Sequence, residues 1–482
     1  MPKPDVGGLR LPGPQGLVVA GAAVAAGRIG LRPITDNSTL VHLRTGIELV
    51  QHWHLPHHDP YSYTAAGHVW VVQSWLASLT YGLANAVGHH ALVLEQVALM
   101  AAVGAVTALV ARSTTAWRSG LAAALAISAS APGWSPRPLM FGLLCLGLTI
   151  LVVERRASPW WLIPVAWLWA NTHGSFPLGL AWLAARAVGE TIDRRGWPRV
   201  TLPRLAGFVA GLAAALVNPV GPKLLTFPLV ALTKRTTFQG IVEWRSPNFQ
   251  DPNTFIALVF IALSLVVLLR ASLPWAQLLP VCGFLVAGLV AERNLGPFGL
   301  VLAPALAVAL SQPAPWETEL AETLHRFGRS LGWRAGALGA TGLIASGMVL
   351  FGIRGPTLGL RDFPVAAVDH LAATGRLGPA HRIAAVDVVG CYLVWRAGPA
   401  TKVFIDDRYD MYPHSVANDA AVLAGGRADA ATVLAKWNVD TVVWAANQIL
   451  PGELLQLGGW RLDWRDTSWT VLVRDPASPT RG

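Results

Sequence analysis

The densest chemistry in the chain follows its first apolar block. Thr35-Asp36-Asn37-Ser38 leads to Val41-His42-Leu43-Arg44-Thr45-Gly46, then through His52-Trp53-His54-Leu55-Pro56-His57-His58-Asp59-Pro60-Tyr61-Ser62 to Trp70 and Gln73-Ser74-Trp75-Leu76. A carboxylate at the mouth of an apolar helix is costly unless it pairs, binds a cation or serves a reaction. Partial burial raises a carboxyl pKa toward working pH, so Asp36 is a candidate general base. Thr35 to Ser38 are equally good helix caps, which is the competing reading. His52, His54, His57, His58 and Asp59 include zinc-ligand types, but their spacing matches no closed site. Asp59 before Pro60 is a natural turn starter, with contact to a reactant as the alternative.

Basic and amide groups recur at later block ends. Arg137 stands between Pro136 and Pro138, and Arg293 between Glu292 and Asn294. A guanidinium at an interface suits a phosphate through bidentate bonding; snorkelling to headgroups is the alternative. Asn171 and His173 close an apolar block beside Gly174, and either knit loops together or touch a ligand. Glu243 and Arg245 either pair, worth about 0–1 kcal/mol at a surface, or contact a reactant. Asp406-Asp407-Arg408 ends an apolar run, where open α/β sheets commonly bind ligands. A structural or acceptor-binding role is expected there, since no Gly-rich phosphate loop precedes a helix.

The elements that must position these groups are apolar. Of 482 residues, 53% are hydrophobic and 13% charged, against about 25% charged in soluble domains. Apolar blocks of roughly 15–22 residues match a hydrocarbon core of about 30 Å. This excludes an ordinary soluble enzyme, a disordered chain and a disulfide scaffold. The expected fold is mostly α, a polytopic bundle of about 11–13 helices over residues 1–360, with a first extracytoplasmic loop at 35–68. The first apolar block is expected to be a retained helix rather than a signal peptide. The +10 net charge is scattered over loops without a stripe, so no nucleic-acid partner is expected. By the positive-inside rule the loops near Arg112, Arg155, Arg194 and Arg326 are cytoplasmic. Alternation then places the polar motifs near 137, 173, 218, 243 and 293 on the opposite side. One parity conflict stays open: blocks 69–87 and 91–110 cannot both cross if Arg112 is inside. Residues 361–482 carry more charge and no membrane-length run. Strands are expected at 382–388, 402–406, 441–444, 460–464 and 469–474, with helices between them, giving an extracytoplasmic α/β domain with an antiparallel pair at its end.

The order of these motifs resembles the C-superfamily of integral-membrane glycosyltransferases (GT-C), in particular a largely uncharacterised bacterial branch. The resemblance rests on Asp36 with His42 and Gly46, Asp59-Pro60-Tyr61-Ser62, Gln73-Ser74-Trp75-Leu76, Arg137-Pro138, Asn171-Thr172-His173-Gly174, Asn218-Pro219, Glu243-Trp244, Arg293-Asn294 and Asp406-Asp407-Arg408. It covers nearly the whole chain. It implies a transferase of the cytoplasmic membrane, with site and C-terminal domain outside. It would move a sugar, with inversion, from a polyprenyl phosphate to an envelope glycan, glycolipid or protein. Asp36 would deprotonate the acceptor, and Arg137, Arg293 and His173 would hold the lipid phosphate. His42, Asp59, Asn171, Glu243, Arg245, Asp406, Asp407 and Arg408 would contact donor or acceptor. No cofactor is assigned. A divalent metal stays open, although Asn37 stands where many relatives carry a second acid. The rival reading is a non-catalytic scaffold, lipid-binding or transporter subunit.

Overall fold

The structure is a computed structural model describing residues 12–234, 242–312, 331–355, 357–426 and 429–475. Among them the helical part comprises α1 (Pro14–Gly30), α2 (Asn37–His52), α3 (Trp75–Val87), α4 (His89–Val110), α5 (Ala116–Ser130), α6 (Leu139–Glu154), α7 (Leu162–Thr172), α8 (Pro177–Arg194), α9 (Thr201–Ala214), α10 (Lys223–Thr233), α11 (Pro252–Leu269), α12 (Trp275–Val290), α13 (Leu295–Ser311) and α14 (Leu331–Arg354). The C-terminal part comprises α15 (Val365–Ala373), β1 (Ile383–Ala384), α16 (Asp387–Ala397), α17 (His414–Ala424), α18 (Ala430–Lys436), β2 (Thr441–Ala445), α19 (Ile449–Leu457), β3 (Trp460–Arg465) and β4 (Trp469–Arg474). Arg326, expected in a cytoplasmic loop, lies outside the described residues.

By length and composition, His89–Val110, Pro252–Leu269, Glu292–Ser311 and Gly332–Arg354 can each cross a membrane. With shorter apolar helices such as Leu139–Glu154 and Trp275–Val290 beside them, the chain is a multi-pass membrane protein. α13 is buried along nearly its whole length and forms the centre of the bundle. Small residues let helices meet closely, the usual basis of packing in lipid. A side chain on Gly104 of α4 would fall 2.6 Å from the Ala22 carbonyl of α1, and one on Gly299 would fall 2.6 Å from the Ala126 carbonyl of α5.

α3 bears on the open parity. Its 13 residues span about 20 Å at 1.5 Å per residue, short of a hydrocarbon core of about 30 Å. α3 is thus shorter than the candidate span α4 that follows it. It supports α2, which turns Leu40, Val41, Leu43 and Leu49 inward. The two helices touch backbone to backbone: a Cβ on Gly46 would lie 1.9 Å from the Ser78 carbonyl, and one on Gly82 2.2 Å from the Gly46 carbonyl.

Two main cores result. One fills the bundle around Met100, Leu143, Trp169, Trp182 and Phe298. The other joins the first loop (Leu40, Tyr61, Trp70, Val72) to the C-terminal part (Tyr392, Phe404, Trp444, Val471). Burying each such side chain is worth about 1.5–3 kcal/mol, so this shared core docks the C-terminal part onto α2. The sheet has the order β1-β2-β4-β3, with β1 parallel to β2 and the remaining neighbours antiparallel. The expected terminal antiparallel pair is present. The expected strand at 382–388 is cut to two residues because Asp387 opens α16. The expected strand at 402–406 is instead an extended seam, with Val403 bridging Ser62 on one side and Ile383 on the other. α19 is a helix that hydropathy alone did not suggest.

Candidate functional site

A cavity of about 1150 Å³ lies between the bundle and the C-terminal part. The start of α2, the 135–138 turn, the turn after α7, α10 and the short helical turns at 242–244 and 292–294 form its bundle side. The start of α16, residues 405–410 and α17 close it from the other side.

Arg137 is set in place by its neighbours. Thr39 Oγ1 donates to the Pro136 carbonyl at 2.6 Å, and Arg32 donates to the Trp134 carbonyl at 3.0 Å, so α2 and the segment before it hold the turn that presents the guanidinium. Arg137 Nε donates to Asp36 Oδ2 at 2.6 Å, and Nη1 to Glu243 Oε2 at 2.7 Å. Nη2 remains to bond a ligand. Burial opposes its charge, but Asp36, Glu243 and Asp407 outweigh it, and its pKa rises. Asp36 is also the N-cap of α2, its Oδ1 accepting from Thr39 N at 3.3 Å. Both roles expected of Asp36 at its helix end, pairing and capping, therefore coexist, and its carboxylate is not part of the cavity lining. Arg293 lines the cavity and lies over the Trp244 ring at 4.2 Å, with the charges of Glu243 and Arg137 nearby.

Two histidines face the same space without adding charge. Burial, then Arg137 and Arg408, push the His42 pKa down to about 4; its Nδ1 pairs with Ser78 Oγ at 3.0 Å. Burial, then Arg293, His42 and Arg137, push His173 down to about 3. His173 Nδ1 lies 2.7 Å from Ser175 Oγ and 3.2 Å from Ser175 N, so its ring is held by the residue two positions on. His173 is thus a neutral ring rather than a cation, and the positive charge at the cavity comes from the arginines.

The C-terminal part contributes carboxylates. Asp407 lines the cavity with its pKa raised to about 7; burial is the main cause, Asp406 and Asp36 add to it, and a hydrogen bond from Ser38 and the charge of Arg137 oppose it. Asp410 is raised to about 6, mainly by burial, against the pull of Arg408 and Lys234. Asp387 is likewise raised by burial and accepts from the Tyr409 hydroxyl. Sequence reasoning missed Asp387, Tyr409, Asp410 and Ser38 as site residues, although three of them flank motifs that it used.

Other candidates sit behind the cavity. Asp406 takes a bidentate pair from Arg408, Nε to Oδ1 at 2.8 Å and Nη2 to Oδ2 at 2.6 Å. Asp59 Oδ1 meets Arg408 Nη2 at 2.8 Å, while its oxygens accept from Tyr61 N and Ser62 N. Arg408 itself reaches the cavity edge, with the Trp70 ring at 4.4 Å and Tyr61 at 4.9 Å. Asn171 is fully buried, accepting from Trp75 Nε1 at 2.8 Å and donating to the Trp167 carbonyl. It ties α3 to α7, so the loop-knitting reading describes its position. Arg245 is exposed, and its carbonyl accepts from Glu292 N at 2.9 Å. Asn218 likewise stays within its own turn, accepting from Val220 N. Among the described residues no group of three or more His, Cys, Asp or Glu is arranged to hold a metal ion. Asp36 is ion-paired, and Asn37 is an amide that donates to Cys391 Sγ at 3.6 Å. This pair does not fit a cation.

No protein-family model matches the sequence, and no curated protein matches it. Solved structures do. The chain superposes on ArnT from Cupriavidus metallidurans in complex with undecaprenyl phosphate at TM-score 0.50 and 16% identity, covering 96% of this chain and 98% of that one. The apo form of the same protein gives TM-score 0.51. The Archaeoglobus fulgidus oligosaccharyltransferase aligns at TM-score 0.50 and 14% identity over 95% of this chain and 74% of its own. The chain therefore shares the fold of these transferase structures.

Proposed function

We propose that the chain is a membrane glycosyltransferase that moves a sugar from a polyprenyl-phosphate donor to a cell-envelope acceptor, with the cavity and C-terminal part on the outer face of the cytoplasmic membrane. One observation carries this reading: Arg137 and Arg293 converge on a cavity that α10 borders with exposed apolar side chains. Phe227, Leu229 and Leu232 of α10 line the cavity, and Leu229 and Leu232 are 65% and 66% exposed. A polyprenyl tail can stay against that helix while its phosphate reaches the guanidinium groups. ArnT was solved with undecaprenyl phosphate, and another similar structure, the oligosaccharyltransferase AglB from Archaeoglobus fulgidus, with an inhibitory peptide and a dolichol-phosphate, which supports a lipid-linked donor.

In this reading Arg137 Nη2 and Arg293, with the His173 ring beside them, stabilise charge that grows on the departing phosphate, commonly the largest catalytic contribution. The acceptor oxygen attacks the anomeric carbon from the face opposite the phosphate, which inverts configuration. Asp36 holds the Nε edge of Arg137, and Glu243 holds Nη1. The test is binding and turnover in lipid nanodiscs. Wild type binds undecaprenyl phosphate and releases it from undecaprenyl-phosphoryl sugars in the presence of envelope membranes; binding without release would instead favour a lipid-binding scaffold.

A further inference from the structure

Resting on that proposed reaction, we infer that Asp407, presented by the C-terminal part, is the carboxylate that takes the acceptor's proton, and that Asp36 is a positioning residue acting through Arg137. The geometry separates the two. Asp36 has one oxygen on Thr39 N and the other on Arg137 Nε, and it does not line the cavity. A general base must reach the proton it removes, and Asp36 would have to release Arg137 to do so. Asp407 lines the cavity, within electrostatic reach of Arg137.

Its surroundings suit the task. Ser38 at the start of α2 hydrogen-bonds it, Arg137 from the 135–138 turn attracts its charge, and Asp36 and Asp406 repel it. Cys391 of α16 and Tyr409 are the other titratable groups close enough to feel it. Cys391 Sγ accepts from Asp407 N at 3.4 Å, which fixes the backbone at the base. The balance holds the carboxyl near neutrality, where a base combines availability with driving force.

The step balances in atoms and charge. The acceptor O–H passes its proton to the Asp407 carboxylate while its oxygen bonds to the anomeric carbon. The bond from that carbon to the phosphate oxygen breaks, and the electron pair leaves with the polyprenyl phosphate. Two single negative charges, on the donor diester and on Asp407, become a dianionic lipid phosphate and a neutral carboxyl. The proton then passes to solvent.

The test uses the full chain in nanodiscs, radiolabelled undecaprenyl-phosphoryl hexoses and pentoses, and envelope membranes lacking this chain as acceptor. The wild-type rate should climb about tenfold per pH unit and level off above about 7. Asp407→Asn should lower kcat by about 100-fold or more, erase that acid limb, and still bind undecaprenyl phosphate. Ser38→Ala should move the limb to higher pH, because the lost hydrogen bond favours the charged form. Asp36→Asn should weaken lipid-phosphate binding and move the limb to lower pH, because a repelling charge disappears. Turnover of Asp407→Asn within about tenfold of wild type, or loss of the limb in Asp36→Asn, would overturn the inference while leaving the transferase reading intact. Absence of transfer by wild type with every sugar offered would overturn both.

Discussion

At the scale of residues, Arg137 and Arg408 illustrate two uses of one side chain. Arg137 is part-exposed and leaves one edge for a ligand, so its replacement should act on function. Arg137→Gln is expected to cut turnover by roughly 100- to 1000-fold, the size of a lost electrostatic contact, with weaker undecaprenyl phosphate binding read by calorimetry. Arg408 is 6% exposed and sits between two carboxylates that are 0% exposed. Arg408→Met leaves Asp59 and Asp406 buried without a counter-charge, a loss of about 3–5 kcal/mol, to be read as a fall in Tm. A lysine should rescue little of it, since the bidentate fork is missing. The amino-acid order pointed to Asp36, Arg137, Glu243 and Arg293 because charges at helix mouths demand partners. It did not separate Asp406 from Asp407: adjacent residues on an extended segment face opposite ways, and only the fold shows which one meets Arg408 and which the cavity.

At the scale of elements, α2 is the platform. One face meets α3 through Gly46 and Gly82, and α16 lies on another, with Gly390 against the Ile405 carbonyl. Gly46→Ala should destabilise by about 1–3 kcal/mol or more, the range for overpacking, measured by thermal unfolding in detergent, with a loss of undecaprenyl phosphate binding because the 135–138 turn moves with α2. Hydropathy made the helical bundle legible, since long apolar runs have few other structures open to them in lipid. It left the role of α3 open, and it read 402–406 as a strand where the chain forms an extended seam, with Val403 between Ile383 and Ser62, the latter more than 300 positions away and beyond the reach of any local pattern.

At the scale of the whole molecule, the cavity has Arg137 and Arg293 on its helical-bundle side and carboxylates from the C-terminal part, and its pH response follows from both. Asp407 is raised to about 7 from an ordinary 3.8, so its contribution favours folding below 3.8 and is lost as pH rises through 7. Asp407→Asn should therefore raise Tm at pH 8 and leave it unchanged at pH 3.5, a check that the variant folds. His42 and His173, lowered to about 4 and about 3, run the other way: their contribution is complete above 6.5 and fades as pH falls toward 4 and 3. Undecaprenyl phosphate should stabilise the protein by about 2.7 kcal/mol at 100 times its Kd, whereas inorganic phosphate at the same concentration, lacking a tail to lie against α10, should shift Tm far less.

The shared packing of Tyr61 and Trp70 with Phe404 and Trp444 has a consequence for biosynthesis. At about 5–20 residues per second, the ribosome needs tens of seconds to travel from one half of that core to the other. Throughout that interval the segment between α1 and α4 waits with its aromatic side chains uncovered beside the bilayer. The pocket cannot close on a nascent chain until the lining residues between Ala385 and Trp444 have been made.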